Sequence, residues 1–145
     1  MLKEDGLPYT VFTPYSNKWK SLLTKGRGDY LNSYPTEKYL KNLFRQAGNE
    51  LPSLASMGFS YSGQTFPMPI VDRDLISIYD ERRDYPGLDA TSHLGIHLRF
   101  GTISIRQLAS EALMLNPTFL NELIWRDFYQ MILWHFPKVG EGKAF

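Results

Sequence analysis

Asn121, Glu122, Trp125, Arg126 and Tyr129 sit in the stretch from Asn116 to Pro137, NPTFLNELIWRDFYQMILWHFP. If that stretch is a helix, its rotation of about 100° per residue gathers them, with Thr118, on one arc. The arc interleaves an amide, a carboxylate and a guanidinium with two large amphipathic rings. Rings of this kind supply stacking faces, and the amide and carboxylate supply hydrogen-bonding edges, a combination used on bases extruded from a nucleic acid. The ordinary alternative is a surface ion pair. Glu122 and Arg126 are four apart in the order that pairs well on a helix, and such a pair is worth a few tenths of a kcal/mol. Both readings stand on these residues alone.

A second group with chemical potential lies upstream. Thr91 and Ser92 precede Leu94, Ile96 and Leu98, which have helical spacing, and Gly101 closes that segment. Two hydroxyls where free backbone N–H groups and the helix dipole meet favour an anion such as phosphate. One of those hydroxyls could equally do no more than cap the helix. Tyr79, Arg82 and Arg83 come just before; Arg83 offers a forked contact to phosphate or a simple complement to a helix dipole. His93 and His97 share a face, but no third ligand follows at a useful spacing, so no metal site is expected. The sequence contains no G-x-S-x-G, P-loop or G-x-G-x-x-G, which leaves triad hydrolysis, nucleotide hydrolysis and dinucleotide-fold chemistry without support.

The elements that must hold these groups follow from caps and periodicity. Asn116 as N-cap, Pro117 at the first helical position and Pro137 as a stop mark one long helix, with Leu120, Leu123, Ile124, Phe128, Met131 and Trp134 on its core arc. Ser104 with Gln107 forms a capping box opening a helix through Leu108, Ala109 and Ala112. Asp72 or Asp74 caps a helix running through Leu75, Ile78 and Tyr79 to about Arg83, ended by the turn Asp84–Gly87. Earlier, a short helix follows Ser16 through Trp19, Leu22 and Leu23 to Gly26, and residues 26–35 form a loop. Another helix spans about Thr36 to Ala47, with Tyr39, Leu40, Leu43 and Phe44 on one side. Residues 7–15 read as an extended lead-in, and residues 49–70 as loop with one loose turn through Leu51, Leu54, Met57 and Phe59. No hairpin and no strand–helix alternation appears, so the fold class is all-α.

Composition limits the partners. Hydrophobic residues at 43%, with 14% aromatics, suffice for a packed core and exclude disorder. Sixteen Lys and Arg against 15 Asp and Glu give a net charge of +1, so a nucleic acid has to be held by a local patch. With no Cys there is neither disulfide nor thiolate chemistry. No apolar run approaches the ~20 residues of a membrane span, and MLKEDGLP is not a signal peptide, so a cytoplasmic protein without membrane contact is expected. The apolar long helix presents two faces that the few preceding elements must cover. The chain therefore reads as part of a larger domain, with exposed apolar surface prone to self-association.

Two segments carry a more specific signal: YDERRDYPGLDATSHLGIHLRFGTIS, residues 79–104, and FLNELIWRDFYQMILWHFP, residues 119–137. Together they resemble the flavin-binding domain of the DNA photolyase and cryptochrome family, in its class I cyclobutane-dimer branch, and YTVFTPYSNKWK is similar to the segment by which that family leaves its antenna domain. The resemblance implies that residues 1–15 lead in from an antenna domain and that residues 16–145 form the first part of a helical FAD domain, with the C-terminal half lying beyond this chain. It implies FAD as cofactor, an antenna cofactor left open, and DNA bearing a pyrimidine dimer as substrate of the complete enzyme, the piece alone being inactive. By the same resemblance Tyr79, Thr91, Ser92, His93, Leu94, Gly95 and Phe119 line the FAD site. Gly95 stands where the family usually has Ser, and Phe119 where many members have Trp. Arg83, Asn121, Glu122 and Trp125 face DNA, with Trp125 stacking on the dimer and Glu122 hydrogen-bonding to it and helping to neutralise its charge; Arg126 and Tyr129, on the same helical arc, are expected to face DNA with them. Two rivals remain: a cryptochrome-type photoreceptor that signals without repair, and a helical binding module that has lost the flavin.

Overall fold

The computed structural model describes residues 1–25 and 34–144. The chain divides into one compact unit built from residues 1–32 and 69–145 and another of residues 33–68. Among the described residues the regular elements are helical, and the sole β pairing is an isolated antiparallel bridge between Leu2 and Pro8. The all-α expectation holds.

In the first unit, helix α1 spans Phe12–Lys25. It begins ahead of Ser16, inside the segment expected to be extended. Pro14 is no obstacle there, because N–H groups in a first turn have no intrahelical acceptor to lose. The gain is tertiary: Tyr15 and Ser16 are buried, and Phe12 packs on the core. The expected stop at Gly26, and the loop from there through residue 33, lie outside the described residues.

Asp72 caps α2, Arg73–Ser77, by accepting from the N–H groups of Asp74 and Leu75. The expected continuous helix to Arg83 is broken at Ile78 (φ −111°, ψ 15°), and α3 resumes over Tyr79–Arg82. The carbonyl of Ser77 instead accepts from Asn116 Nδ2 at 3.2 Å, so a tertiary partner has replaced a helical one at the break. A turn with Tyr85 N–H donating to Arg82 O at 3.1 Å then leads to α4, Gly95–Phe100, which Gly101 ends in the left-handed region (φ 69°). Ser104 caps α5, Ile105–Leu115, its hydroxyl accepting from Gln107 N–H at 3.3 Å.

The long helix α6, Pro117–His135, has the expected ends. It buries Phe119, Leu120, Leu123, Ile124, Phe128, Met131 and Ile132 against α1, α5 and the α2–α3 region. Trp134 departs from its expected core position. The last turn of α6 packs through Ile132, with Phe136 and Val139 beyond it on the core, and Trp134 is left 82% exposed. Among the described residues no helix is long and apolar enough to cross a membrane.

The second unit corrects the helix expected over Thr36–Ala47. A 3-10 helix covers only Thr36–Asn42 and buries no residue; Leu40, Leu43 and Phe44 are exposed. Three residues per turn do not gather a stripe of 3.6-residue period, and a short helix without an apolar face to bury is marginal. The loose turn appears as expected, with Met57 N–H on Ser53 O at 3.2 Å and Phe59 N–H on Leu54 O at 3.0 Å.

One contact that joins α1 to α6 has a pH signature. Tyr15 Oη donates to Asp127 Oδ2, and the ring is 1% exposed. Burial, then the hydrogen bond to the carboxylate and its charge, push the Tyr15 pKa well above the ordinary tyrosine value. A group whose folded pKa is raised contributes stability that is complete below its unfolded pKa of about 10 and is lost as pH rises through the folded value. Stability should therefore fall as pH climbs above about 10, and Tyr15→Phe should flatten that fall. Denaturant unfolding of both proteins across this range measures it; parallel profiles would show that Tyr15 is not the group responsible.

Candidate functional site

The site begins at the buried N-cap of α6. Asn116 Oδ1 accepts from Thr118 and Phe119 N–H at 2.9 and 3.1 Å, while its Nδ2 donates to Ser77 O and, at 2.6 Å, to Asp80 Oδ1. One side chain thus starts α6 and locks it to the α2–α3 junction. Arg83, just past α3, is thereby brought to Glu122 on α6, and its Nη1 donates to Glu122 Oε1. Arg83 Nε also reaches Asp84 Oδ1 at 3.2 Å, and the guanidinium lies over the Tyr79 ring, 5.6 Å from its centroid. The Tyr79 ring in turn meets Phe119 edge-on at 5.1 Å. The hydrogen bonds it donates to Glu122 and Asp84 raise the Arg83 pKa, so this cation is fixed. Burial, then the Glu122 charge, raises the Tyr79 pKa, with Arg83 opposing, so the phenol stays neutral.

The Glu122–Arg126 ion pair, the ordinary alternative for these residues, is not what forms. Glu122 takes Arg83, and Arg126 Nη2 donates to Leu98 O of α4 at 3.2 Å. Next to Glu122 stands a short aromatic stack. Trp125 lies flat on Phe12 of α1, with ring centroids 3.5 Å apart and planes 5° apart, and it also stacks with Tyr129 at 5.3 Å and 24°. Asn121 Oδ1 accepts from Ser16 Oγ at 3.4 Å, so it is turned to α1. The structure therefore groups Arg83, Glu122, Tyr79 and Phe119, and separately Trp125 and Tyr129. Asn121 and Arg126 are engaged by neighbouring helices instead.

The Thr91–Gly95 segment has its own geometry. Leu94 is the N-cap of α4 and no side chain caps it, so neither Thr91 nor Ser92 does the bland capping job. His93 is left-handed (φ 52°), and its Nε2 pairs with Asp89 Oδ1 at 2.7 Å. Leu94 is buried and reaches outward only through its backbone. At Gly95 an added Cβ would meet nothing within 4 Å, so the missing serine is not excluded by crowding. Among the described residues no cluster of three His, Cys, Asp or Glu could hold a metal ion.

Comparison with known proteins decides the relationship. The chain is 31% identical to the deoxyribodipyrimidine photo-lyase of Synechococcus sp., over 98% of its own length and 34% of that protein. It is 28% identical to those of Alkalihalophilus pseudofirmus and Escherichia coli, over 94% of this chain and 32% of each. The chain belongs to the photolyase family. It spans about a third of the length of the curated relatives it matches. No protein-family model matches this photolyase-family chain, and no solved structure matches it significantly.

Reading the sequence missed four residues that shape this region: Phe12, Tyr15, Ser16 and Asp127. The first three fall in or beside a segment read as extended because of its prolines, and their partners Trp125, Asp127 and Asn121 are more than 100 residues away. A signal was present in the alternation of Phe12, Tyr15, Ser16 and Trp19 at helical spacing, which runs straight through Pro14.

Proposed function

We propose that this chain forms part of the flavin-binding domain of a deoxyribodipyrimidine photo-lyase, residues 16–145 being its first portion and residues 1–15 the lead-in from an antenna domain. The complete enzyme would act in the cytoplasm, splitting cyclobutane pyrimidine dimers in DNA by light-driven electron transfer. The similarity to photo-lyases over nearly the whole chain carries this reading.

The residues present fit FAD in most positions. Thr91 and Ser92 keep their hydroxyls free of capping, and the first turn of α4 has no side-chain cap, so both remain for phosphate oxygens, with His93, Leu94 and Gly95 contributing backbone. Tyr79, a neutral phenol, is the further wall that this reading gives the FAD site. Phe119 is the exception: it is buried behind Tyr79 and supports that wall without offering an exposed face. Reduced FAD, when bound, supplies the electron that light drives into the dimer.

On the DNA side, Trp125 and Tyr129 provide stacking surface for an extruded dimer, with Asn121 and Arg126 flanking them. Glu122 presents a hydrogen-bonding edge, and Arg83 beside it offsets the negative charge the dimer gains. A DNA phosphate that draws Arg83 away would free Glu122 for the lesion. Exposed Leu133 and Trp134 would favour self-association of this chain when it stands alone.

The complete protein carrying this segment, with its flavin reduced, should clear dimers from DNA under near-ultraviolet or blue light and leave them intact in the dark. Flavin content with no repair in either condition would replace the enzyme by a photoreceptor, and absence of flavin would leave only a binding module.

A further inference from the structure

A cavity of about 590 Å³ opens between α1, α5 and α6, and none of the residues assigned above to the flavin lines it. Its walls are apolar: Trp19, Leu22 and Leu23 from α1, Ile105 and Ala109 from α5, and Leu123 from α6. Its polar groups are Arg106, Arg126, Asp127 and Gln130. Asp127 already accepts the Tyr15 hydroxyl and Arg126 already donates to Leu98 O, whereas Arg106 is an exposed arginine. Among the lining side chains, two guanidiniums against one carboxylate leave one net positive charge, and Met1 at the N-terminus also lines the cavity. A space of this size with mostly apolar walls and a few polar groups is the usual form of a small-molecule site.

We propose that this cavity binds a small molecule with an apolar, aromatic body and a single anionic group, such as an aryl carboxylate. The body lies against Trp19, Leu22 and Leu123, and the anion is met by Arg106 with the spare donors of Arg126. An uncharged molecule of the same shape would leave the guanidiniums unanswered and bind less well. A dianion would press its second charge against Asp127. The site needs neither flavin nor DNA, and it shares only Arg126 with the DNA side proposed above.

Phenylbutyrate and its uncharged counterpart phenylbutanol are suitable probes, followed by nitrogen–proton NMR of the three tryptophan indoles in the 145-residue chain. Trp19 lines the cavity and Trp125 and Trp134 do not, so the indole signals report where a probe sits. The expected result is a saturable shift of the Trp19 signal alone, with the acid binding about tenfold more tightly than the alcohol. Arg106→Gln should remove most of that preference and leave the alcohol unaffected. Ala109→Phe, which fills the cavity, should abolish both; should it fail to fold, the exposed Arg106 variant still decides. Equal affinities for acid and alcohol, or all three indoles shifting together without saturation, would overturn the proposal.

Discussion

Replacing Trp125 by alanine in the complete enzyme should weaken binding to dimer-containing DNA by about one to two decades and leave FAD content unchanged. Stacking of an aromatic side chain on a base is worth roughly 1–3 kcal/mol, and each decade of affinity corresponds to about 1.4 kcal/mol. The structure adds a condition. Phe12 lies flat on the indole, so a base that stacks on that face must displace it, and one that stacks elsewhere uses Phe12 as backing. The loss should appear in affinity for damaged DNA relative to undamaged DNA at matched salt, since phosphate contacts dominate both affinities and shift together with salt. If Trp125 is only a packed ring between Phe12 and Tyr129, the variant will lose stability while its discrimination between the two DNAs stays as it was.

Asn116→Ala should destabilise the chain by roughly 2–4 kcal/mol, the sum of a lost N-cap and of hydrogen-bond partners left unsatisfied. Asn116 is 3% exposed and serves four partners: two N–H groups of α6, the Ser77 carbonyl and the Asp80 carboxylate. Alanine keeps none of these. Asn116→Asp keeps the acceptor for the cap, but it loses both donor bonds and sets a second carboxylate against Asp80. It should therefore recover less than the full loss. Measured by denaturant unfolding, the alanine variant should move the midpoint without changing the slope. A loss below about 0.5 kcal/mol, the range of ordinary surface substitutions, would show that α6 is not anchored here. A loose anchor would also weaken the hold of α3 on α6, leaving the Tyr79–Phe119 contact to keep Arg83 near Glu122.

What the sequence revealed and what it concealed divide along the range of the interaction. Both ends of α6 and the Ser104 cap were legible because an Asn or Ser side chain meets N–H groups two or three residues ahead, and Pro117 and Pro137 act on their own backbone. The start of α1 was hidden because Phe12 and Tyr15 become helical by packing on α6, a gain no local propensity contains. The opposite error occurred at Thr36–Ala47, where a respectable apolar stripe found no surface to cover and Phe44 remained 87% exposed. At the site, the arc of Glu122, Trp125 and Tyr129 followed from helical geometry alone. The pairing of Glu122 with Arg83 in preference to Arg126 did not, since 39 residues separate the partners and tertiary contacts between α3 and α6 bring them together.

The central claim is that Glu122 and its neighbours form the wall against which a dimer is split, and the repair yield of Glu122→Ala tests it most directly. A group that acts on charge developing after light absorption affects the reaction beyond ground-state binding. With the complete enzyme saturated by dimer-containing DNA, so that weaker binding is no longer limiting, single-turnover repair per absorbed photon should fall in Glu122→Ala while flavin content stays at the wild-type level. Repair per photon equal to the wild type under that saturation would mean that Glu122 is no more than the ion-pair partner of Arg83, and the lesion pocket placed here would be wrong.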